Sequence, residues 1–136
     1  MNAIDTNVLI YSLDVTEPVK SAQAIALIHR LRSSSLVVPW QVAVESLACL
    51  RRWENVGRIS RFNVESYLKS YLLPLPIRLP KVDVLTSALQ LSAKYSLSHY
   101  DSLLIAACIE AGVDTLYTED LSHNAVYDSV RVFNPF

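Results

Sequence analysis

The order of apolar and helical segments predicts an α/β domain in which a short parallel sheet lies between two layers of helices. Short apolar runs alternate with longer stretches of helical periodicity along the whole chain, and this alternation is typical of strand–helix–strand units. The 136 residues suffice for one domain with a sizeable core. No repeat or linker-like segment divides them, so residues 1–136 are predicted to form a single domain.

The predicted elements of the N-terminal half begin with a short strand at residues 3–5, followed by a helix over 7–13. Pro18 suits the first turn of a second helix over 19–31, where apolar residues recur at helical spacing. A buried strand at 36–38 then leads into a strongly helical segment at 41–53, which ends before Gly57.

The C-terminal half contains three further helices and up to three short strands. Prolines on both sides restrict residues 75–79 to an edge strand or an extended connection. The other predicted elements are a helix from the N-cap Asn63 to about residue 73, a helix over 82–95, a helix from the N-cap Ser98 to about 111, and strands at 115–118 and 130–133.

The composition excludes several classes of protein. Hydrophobic residues make up 51% and charged residues 18%, a balance that excludes intrinsic disorder. A membrane span needs about 20 apolar residues, and no apolar run in the chain approaches this length. The N-terminus also lacks the apolar core of a signal peptide. We therefore expect a cytoplasmic protein with no membrane partner. Two glycines cannot build a dinucleotide fingerprint or a Gly-rich phosphate loop, so no nucleotide cofactor of that kind is expected. The net charge of −1 neither requires nor forbids nucleic acid.

Four carboxylates lie in or beside apolar stretches: Asp5, Glu45, Asp101 and Asp120. Each has an ordinary structural interpretation, such as a helix cap for Asp5 and Asp101 or a turn for Asp120. Asp5 and Asp120 both end predicted strands, and the carboxyl ends of parallel strands share one edge of a sheet. Buried carboxylates need a partner, and no Lys or Arg is close in sequence to three of the four. If folding brings them together, a divalent cation is required.

Five segments of the chain stand out together: Asp5-Thr6-Asn7-Val8-Leu9-Ile10-Tyr11, Glu45 after Pro39-Trp40-Gln41, Tyr100-Asp101 before an Ala-rich helix, Thr118-Glu119-Asp120, and the ending Val130-Arg131-Val132-Phe133-Asn134-Pro135-Phe136. In this order they resemble the PIN domain, a Rossmann-like α/β/α fold, and its VapC-type toxin ribonucleases. The resemblance covers essentially the whole chain. Two features depart from the family pattern: few residues precede Asp5, and no glycine occurs in the loop that contains His123.

The resemblance implies metal-dependent hydrolysis of RNA phosphodiester bonds by a toxin. Asp5 and Asp101 would be direct ligands of Mg²⁺ or Mn²⁺, which prefer oxygen donors. Glu45 and Asp120 would ligate directly, through water, or at a second ion. Asn7 and Thr118 would orient the carboxylates. The family further implies a homodimer that a cognate VapB-type antitoxin inhibits, and aromatic residues such as Trp40 exceed what one small core needs.

Four arginines form the densest basic segment, with two interpretations. These residues are Arg51, Arg52, Arg58 and Arg61. They form either a solvated helix end or a contact surface for RNA or the antitoxin.

Three other functions compete with the toxin interpretation. The first is a housekeeping PIN ribonuclease of RNA processing or decay, and the second is a catalytically silent PIN scaffold that binds RNA or protein. The presence of all four acids argues against the scaffold. A phosphoaspartate enzyme would need a second Asp two residues after Asp5, where Asn7 stands.

Overall fold

The computed structural model describes residues 1–136, and its strands and helices alternate as predicted. None of the helices combines the length and the apolar character that a bilayer crossing requires. The strands are β1 Asn2–Ile4, β2 Leu36–Pro39, β3 Ile77–Arg78, β4 Thr115–Tyr117, β5 Val126–Tyr127 and β6 Val130–Phe133. The helices are α1 Thr6–Tyr11, α2 Pro18–Arg32, α3 Trp40–Asn55, α4 Arg61–Tyr67, α5 Val84–Tyr95 and α6 His99–Glu110, and α4 continues into one π-helical turn at Leu68–Leu72.

The six strands form one sheet in the order β3-β2-β1-β4-β6-β5. All neighbours are parallel except β5 and β6, which form an antiparallel hairpin. The central side chains of this sheet are fully buried, as at Ile4, Val38, Leu116 and Val132, which requires helices on both faces. Helix α1 packs on α2 and α3, while α5 packs on α6. The predicted three-layer α/β/α fold is confirmed, with a mixed sheet in place of a wholly parallel one.

The register of the central strands determines where the candidate site lies. Ile4 of β1 is opposite Tyr117 of β4, so the residues that follow, Asp5 and Thr118, leave the sheet side by side. The backbone N–H of Asp5 donates to the Tyr117 carbonyl at 3.0 Å and extends this ladder by one bond. Helix α3 begins directly after β2, the other neighbour of β1, which brings the first turns of α3 to the same edge.

Two local predictions were wrong or incomplete. Asn63 is not an N-cap, because the cap is Ser60, whose hydroxyl accepts the Asn63 N–H at 3.1 Å. Both residues are good caps, and only the serine has extended backbone here. Strand β5 was not predicted, because two residues are too few for any periodicity. Its hairpin turns at Asp128, which has a positive φ of 51°.

Candidate active site

Asp5 is the buried centre of the site, with 7% of its surface exposed. It is the N-cap of α1 and accepts the Thr6 N–H at 2.6 Å and the Thr118 hydroxyl at 2.7 Å. Burial raises the pKa of this carboxyl from 3.8 to about 6, and the negative charges of Asp120 and Glu45 act in the same direction. The bonds from Thr118 and Thr6 oppose that rise without cancelling it. Asp5 is thus a helix cap, but in an environment that disfavours its charge.

Asn7 and Thr118 connect Asp5 to Asp120. The Asn7 amide nitrogen lies 3.0 Å from the Thr118 hydroxyl, 3.0 Å from an exposed Asp120 carboxylate oxygen and 3.3 Å from Asp5 Oδ2. The Thr118 hydroxyl also accepts the Asp120 backbone N–H at 3.1 Å. The amide oxygen of Asn7, Oδ1, is buried and accepts no hydrogen bond. An orphaned buried oxygen is uncommon, and here it lies in the carboxylate cluster.

Glu45 is half-buried and held by two donors at the start of α3. The Thr6 hydroxyl donates to Oε2 at 2.8 Å, and the Gln41 amide donates to Oε1 at 2.9 Å. Gln41 also donates to the Tyr100 carbonyl at 3.0 Å, so it joins α3 to the start of α6. Neither Thr6 nor Gln41 was predicted. The spacing of Gln41 four residues before Glu45 on one helix face would have identified it, whereas nothing marked Thr6.

Asp101 lies at the rim of this network. Its backbone N–H donates to the Ser98 hydroxyl at 3.2 Å, so Ser98 caps α6 as predicted. Its half-exposed carboxylate makes no hydrogen bond or ion pair, which means that the reciprocal bond of a capping box is absent. Asp5, Glu45 and Asp120 are therefore linked through hydrogen bonds, and Asp101 is connected to them only through the Tyr100 backbone and Gln41.

The donor set of the site suits a hard divalent cation. No three His, Cys, Asp or Glu side chains are placed so that they could hold a metal ion by themselves, but Mg²⁺ commonly uses one or two carboxylates and several waters. The donors present are all oxygens, and the buried Asn7 Oδ1 has no other partner. No Lys or Arg forms an ion pair with any of the four acids. The negative charge of the site is therefore not neutralised by the protein.

The four arginines differ in their surroundings. Arg58 forms an ion pair with Asp14 and stacks on the Trp53 ring, with its guanidinium carbon 4.0 Å from the ring centroid. Arg61 pairs with Glu54 at 2.7 Å. Arg51 and Arg52 are exposed and form no ion pair. Two of the four therefore act within the fold, and two are available to a partner.

Comparisons with known proteins agree with this architecture. The family model of the PIN domain matches residues 3–128. Similar solved structures include DNA-bound VapBC from Salmonella typhimurium (TM-score 0.72, 12% identity, covering 99% of this chain and 98% of that one). They also include a toxin–antitoxin complex from Klebsiella pneumoniae (0.69, 17%, 100% and 98%). A third is Mycobacterium tuberculosis VapC20, a toxin that cleaves the sarcin–ricin loop (0.62, 15%, 88% and 90%). The comparison with curated proteins found no match. The predicted family is confirmed, and the chain belongs to the PIN domain family.

Proposed function

We propose that the chain is a cytoplasmic Mg²⁺- or Mn²⁺-dependent endoribonuclease and the toxin of a VapBC-type toxin–antitoxin pair. The observation that carries the proposal is the linked set Asp5, Asp120 and Glu45 at the carboxyl edge of the sheet, with no basic side chain paired to it. In parallel α/β sheets this edge is where ligands bind. The fold shared with VapC toxins supports the same assignment.

Each residue of the site has a defined task in this proposal. Asp5 and Asp101 would hold the ion directly, and Glu45 and Asp120 would ligate it directly or through water. Thr118 and Asn7 fix the carboxylates of Asp5 and Asp120 through the bonds described above. When bound, a divalent ion lowers the pKa of a water molecule and neutralises charge on the phosphate that is attacked.

The site also needs to position an RNA strand and to accept an inhibitor. The exposed Arg51 and Arg52 lie on α3, the helix that carries Glu45, and provide positive charge for phosphates or for an acidic antitoxin segment. Trp40 is 47% exposed and borders two apolar grooves of about 330 and 360 Å³. Such exposed apolar surface is typical of protein interfaces, which supports a homodimer and an antitoxin as partners.

Cleavage of an end-labelled RNA by the purified protein tests the catalytic proposal. We expect internal cleavage with Mn²⁺ or Mg²⁺ and none with a chelator. Asp120→Asn should reduce the rate by at least about 100-fold, because it removes a ligand. Asp83→Asn is the matched control, since Asp83 is exposed and makes no side-chain hydrogen bond. Equal loss in both variants, or cleavage with chelator present, would contradict the proposal.

Growth on expression separates a toxin from a housekeeping nuclease. A toxin should arrest growth when it is expressed alone. Co-expression of the small protein encoded next to the toxin gene should restore growth, because the two proteins form a complex. The housekeeping interpretation predicts neither arrest nor such a complex. A silent scaffold would bind RNA without cleaving it in the assay above.

A further inference from the structure

Glu119 lies between two residues of the candidate site, Thr118 and Asp120, and its own carboxylate is held at both oxygens. The Tyr11 hydroxyl donates to Oε1 at 2.6 Å, and Lys20 Nζ donates to Oε2 at 2.7 Å. Lys20 Nζ is also 3.2 Å from the Tyr11 oxygen, which closes the triangle. The Glu119 side chain is only 22% exposed, so solvent screens this pair less than an ordinary surface pair. We refer to Tyr11, Lys20 and Glu119 as the Glu119 clamp.

One face of helix α1 holds three consecutive residues, 118 to 120. Asn7 and Tyr11 are four residues apart on α1 and therefore project from the same face. Asn7 binds Thr118 and Asp120, and Tyr11 binds the residue between them. The Tyr11 ring is itself packed edge-on against Phe136, with centroids 5.0 Å apart.

The segment held in this way has little regular secondary structure of its own. Strand β4 ends at Tyr117, and the Thr118 N–H makes one further bond, to the Phe133 carbonyl at 3.0 Å. The next backbone donor that bears on the site, the Asp120 N–H, is bound by the Thr118 hydroxyl and not by a strand. Side-chain contacts therefore determine the direction in which Asp120 presents its carboxylate.

We propose that Glu119 is a positioning residue of the active site, and that the clamp of Tyr11 and Lys20 on its carboxylate directs Asp120 toward Asp5. The inference rests on the proposed function, since it assigns Glu119 a task toward the ion and substrate that Asp5 and Asp120 would bind. Glu119 itself would contact neither the ion nor the substrate. Its effect passes through the 118–120 backbone.

The fold supplies a matched control cluster on another surface. Tyr95 and Lys94 bind the Asp128 carboxylate at 2.7 Å each, and the Lys94 ammonium lies 5.0 Å from the Tyr95 ring centroid. This is the same trio of tyrosine, lysine and carboxylate as in the clamp. Tyr11→Phe and Tyr95→Phe each delete one hydroxyl from such a trio and keep the aromatic ring. Lys20→Met and Lys94→Met form a second matched pair.

The experiment compares wild type with these variants in three measurements. The first is the Mn²⁺ dissociation constant by calorimetry, the second is hydrogen exchange of the Asp120 amide in metal-free protein, and the third is kcat and KM for RNA cleavage. We expect Tyr11→Phe and Lys20→Met to weaken Mn²⁺ binding by about 10-fold or more. They should also speed exchange at the Asp120 amide and lower kcat without changing KM. Tyr95→Phe and Lys94→Met should match wild type in all three.

The outcomes distinguish this inference from the proposed function. Wild type that binds Mn²⁺ and cleaves RNA, beside clamp variants that behave like their controls, would overturn the positioning role alone. If the clamp variants only lower the melting temperature, to the same extent as the controls, the clamp is merely structural and the inference is also overturned. Wild type that neither binds Mn²⁺ nor cleaves RNA would overturn both proposals.

Discussion

Replacing Asp5 with asparagine separates the stability of the site from its activity. The substitution keeps the shape of the side chain and removes its charge. In metal-free protein that charge is unfavourable, because Asp5 is buried beside Asp120 and Glu45 and its pKa is raised to about 6. The same charge is needed to hold a cation. We therefore expect Asp5→Asn to lose ribonuclease activity while the metal-free protein becomes more stable at pH 7.

The size of the stability effect follows from the shifted pKa. The difference between the ordinary pKa of 3.8 and the folded-state pKa of about 6 corresponds to about 3 kcal/mol of unfolding free energy. The folded-state pKa is the higher one, so this stability is present below pH about 4 and is lost as the pH rises through about 6. The asparagine side chain can place an NH₂ group where the Asp5 oxygen accepts hydrogen bonds from Asn7 and Thr118. The loss of this hydrogen bonding offsets about 1 kcal/mol of the gain in stability. The net gain at pH 7 is then about 2 kcal/mol.

Urea unfolding with chelator at pH 4 and pH 7 measures this effect. The stability of Asp5→Asn relative to wild type should increase by about 2 kcal/mol between the two pH values, which is less than the full value of about 3 kcal/mol because the unfolded-state carboxyl is already partly ionised at pH 4. Asp83→Asn, the exposed control, should show no comparable change. Mn²⁺ at about 100 times its dissociation constant should stabilise wild type by about 2.7 kcal/mol and leave Asp5→Asn unchanged. A stability difference that is the same at both pH values would mean that folding does not raise the pKa of Asp5.

Three further predictions concern other parts of the molecule. Thr118→Val should lower the free energy of unfolding by about 1–3 kcal/mol in urea titrations, because it leaves the buried Asp5 carboxylate and the Asn7 amide without a shared partner. The double variant Arg51→Ala/Arg52→Ala should reduce the salt dependence of RNA or antitoxin binding by a slope of about 1 per lost contact, and an unchanged slope would assign both arginines to the solvated surface. Val44 is exposed in one of the apolar grooves, and Val44→Glu should convert a dimer to the 15.2 kDa monomer in light scattering. Wild type that is monomeric at tens of micromolar would contradict the proposed dimer.

The fold was predictable because its signals are local and repeated. The predicted helix over 82–95 and the helix capped by Ser98 correspond closely to α5 and α6. The competition between Ser60 and Asn63 for one cap was not predictable, since both residue types bind a helix N-terminus and backbone conformation decides. The β5–β6 hairpin depends on pairing between two residues and a left-handed turn, which no periodicity records.

The approach of Asp5, Glu45 and Asp120 to one another was predictable, whereas the hydrogen bonds that connect them were much less so. Asp5 and Asp120 were recognisable because strand ends converge on one edge of a parallel sheet. The bond from Gln41 to Glu45 lies within α3 and follows from their spacing of four residues. The bond from Thr6 to Glu45 joins α1 to α3, and it requires the three-dimensional packing of these two helices. The rim position of Asp101 was equally invisible, because it depends on how α6 approaches α3.

The dependence of RNA cleavage on Mn²⁺ concentration is the decisive test of metal-dependent catalysis at the Asp5 site. We expect no cleavage by wild type in chelator and a rate that rises with Mn²⁺. Half of the maximal rate should be reached at the dissociation constant that calorimetry gives for the same protein. Asp5→Asn should show neither the binding nor the cleavage. Chelator-resistant cleavage by wild type, or full activity in Asp5→Asn, would rule out a metal-dependent nuclease that uses Asp5.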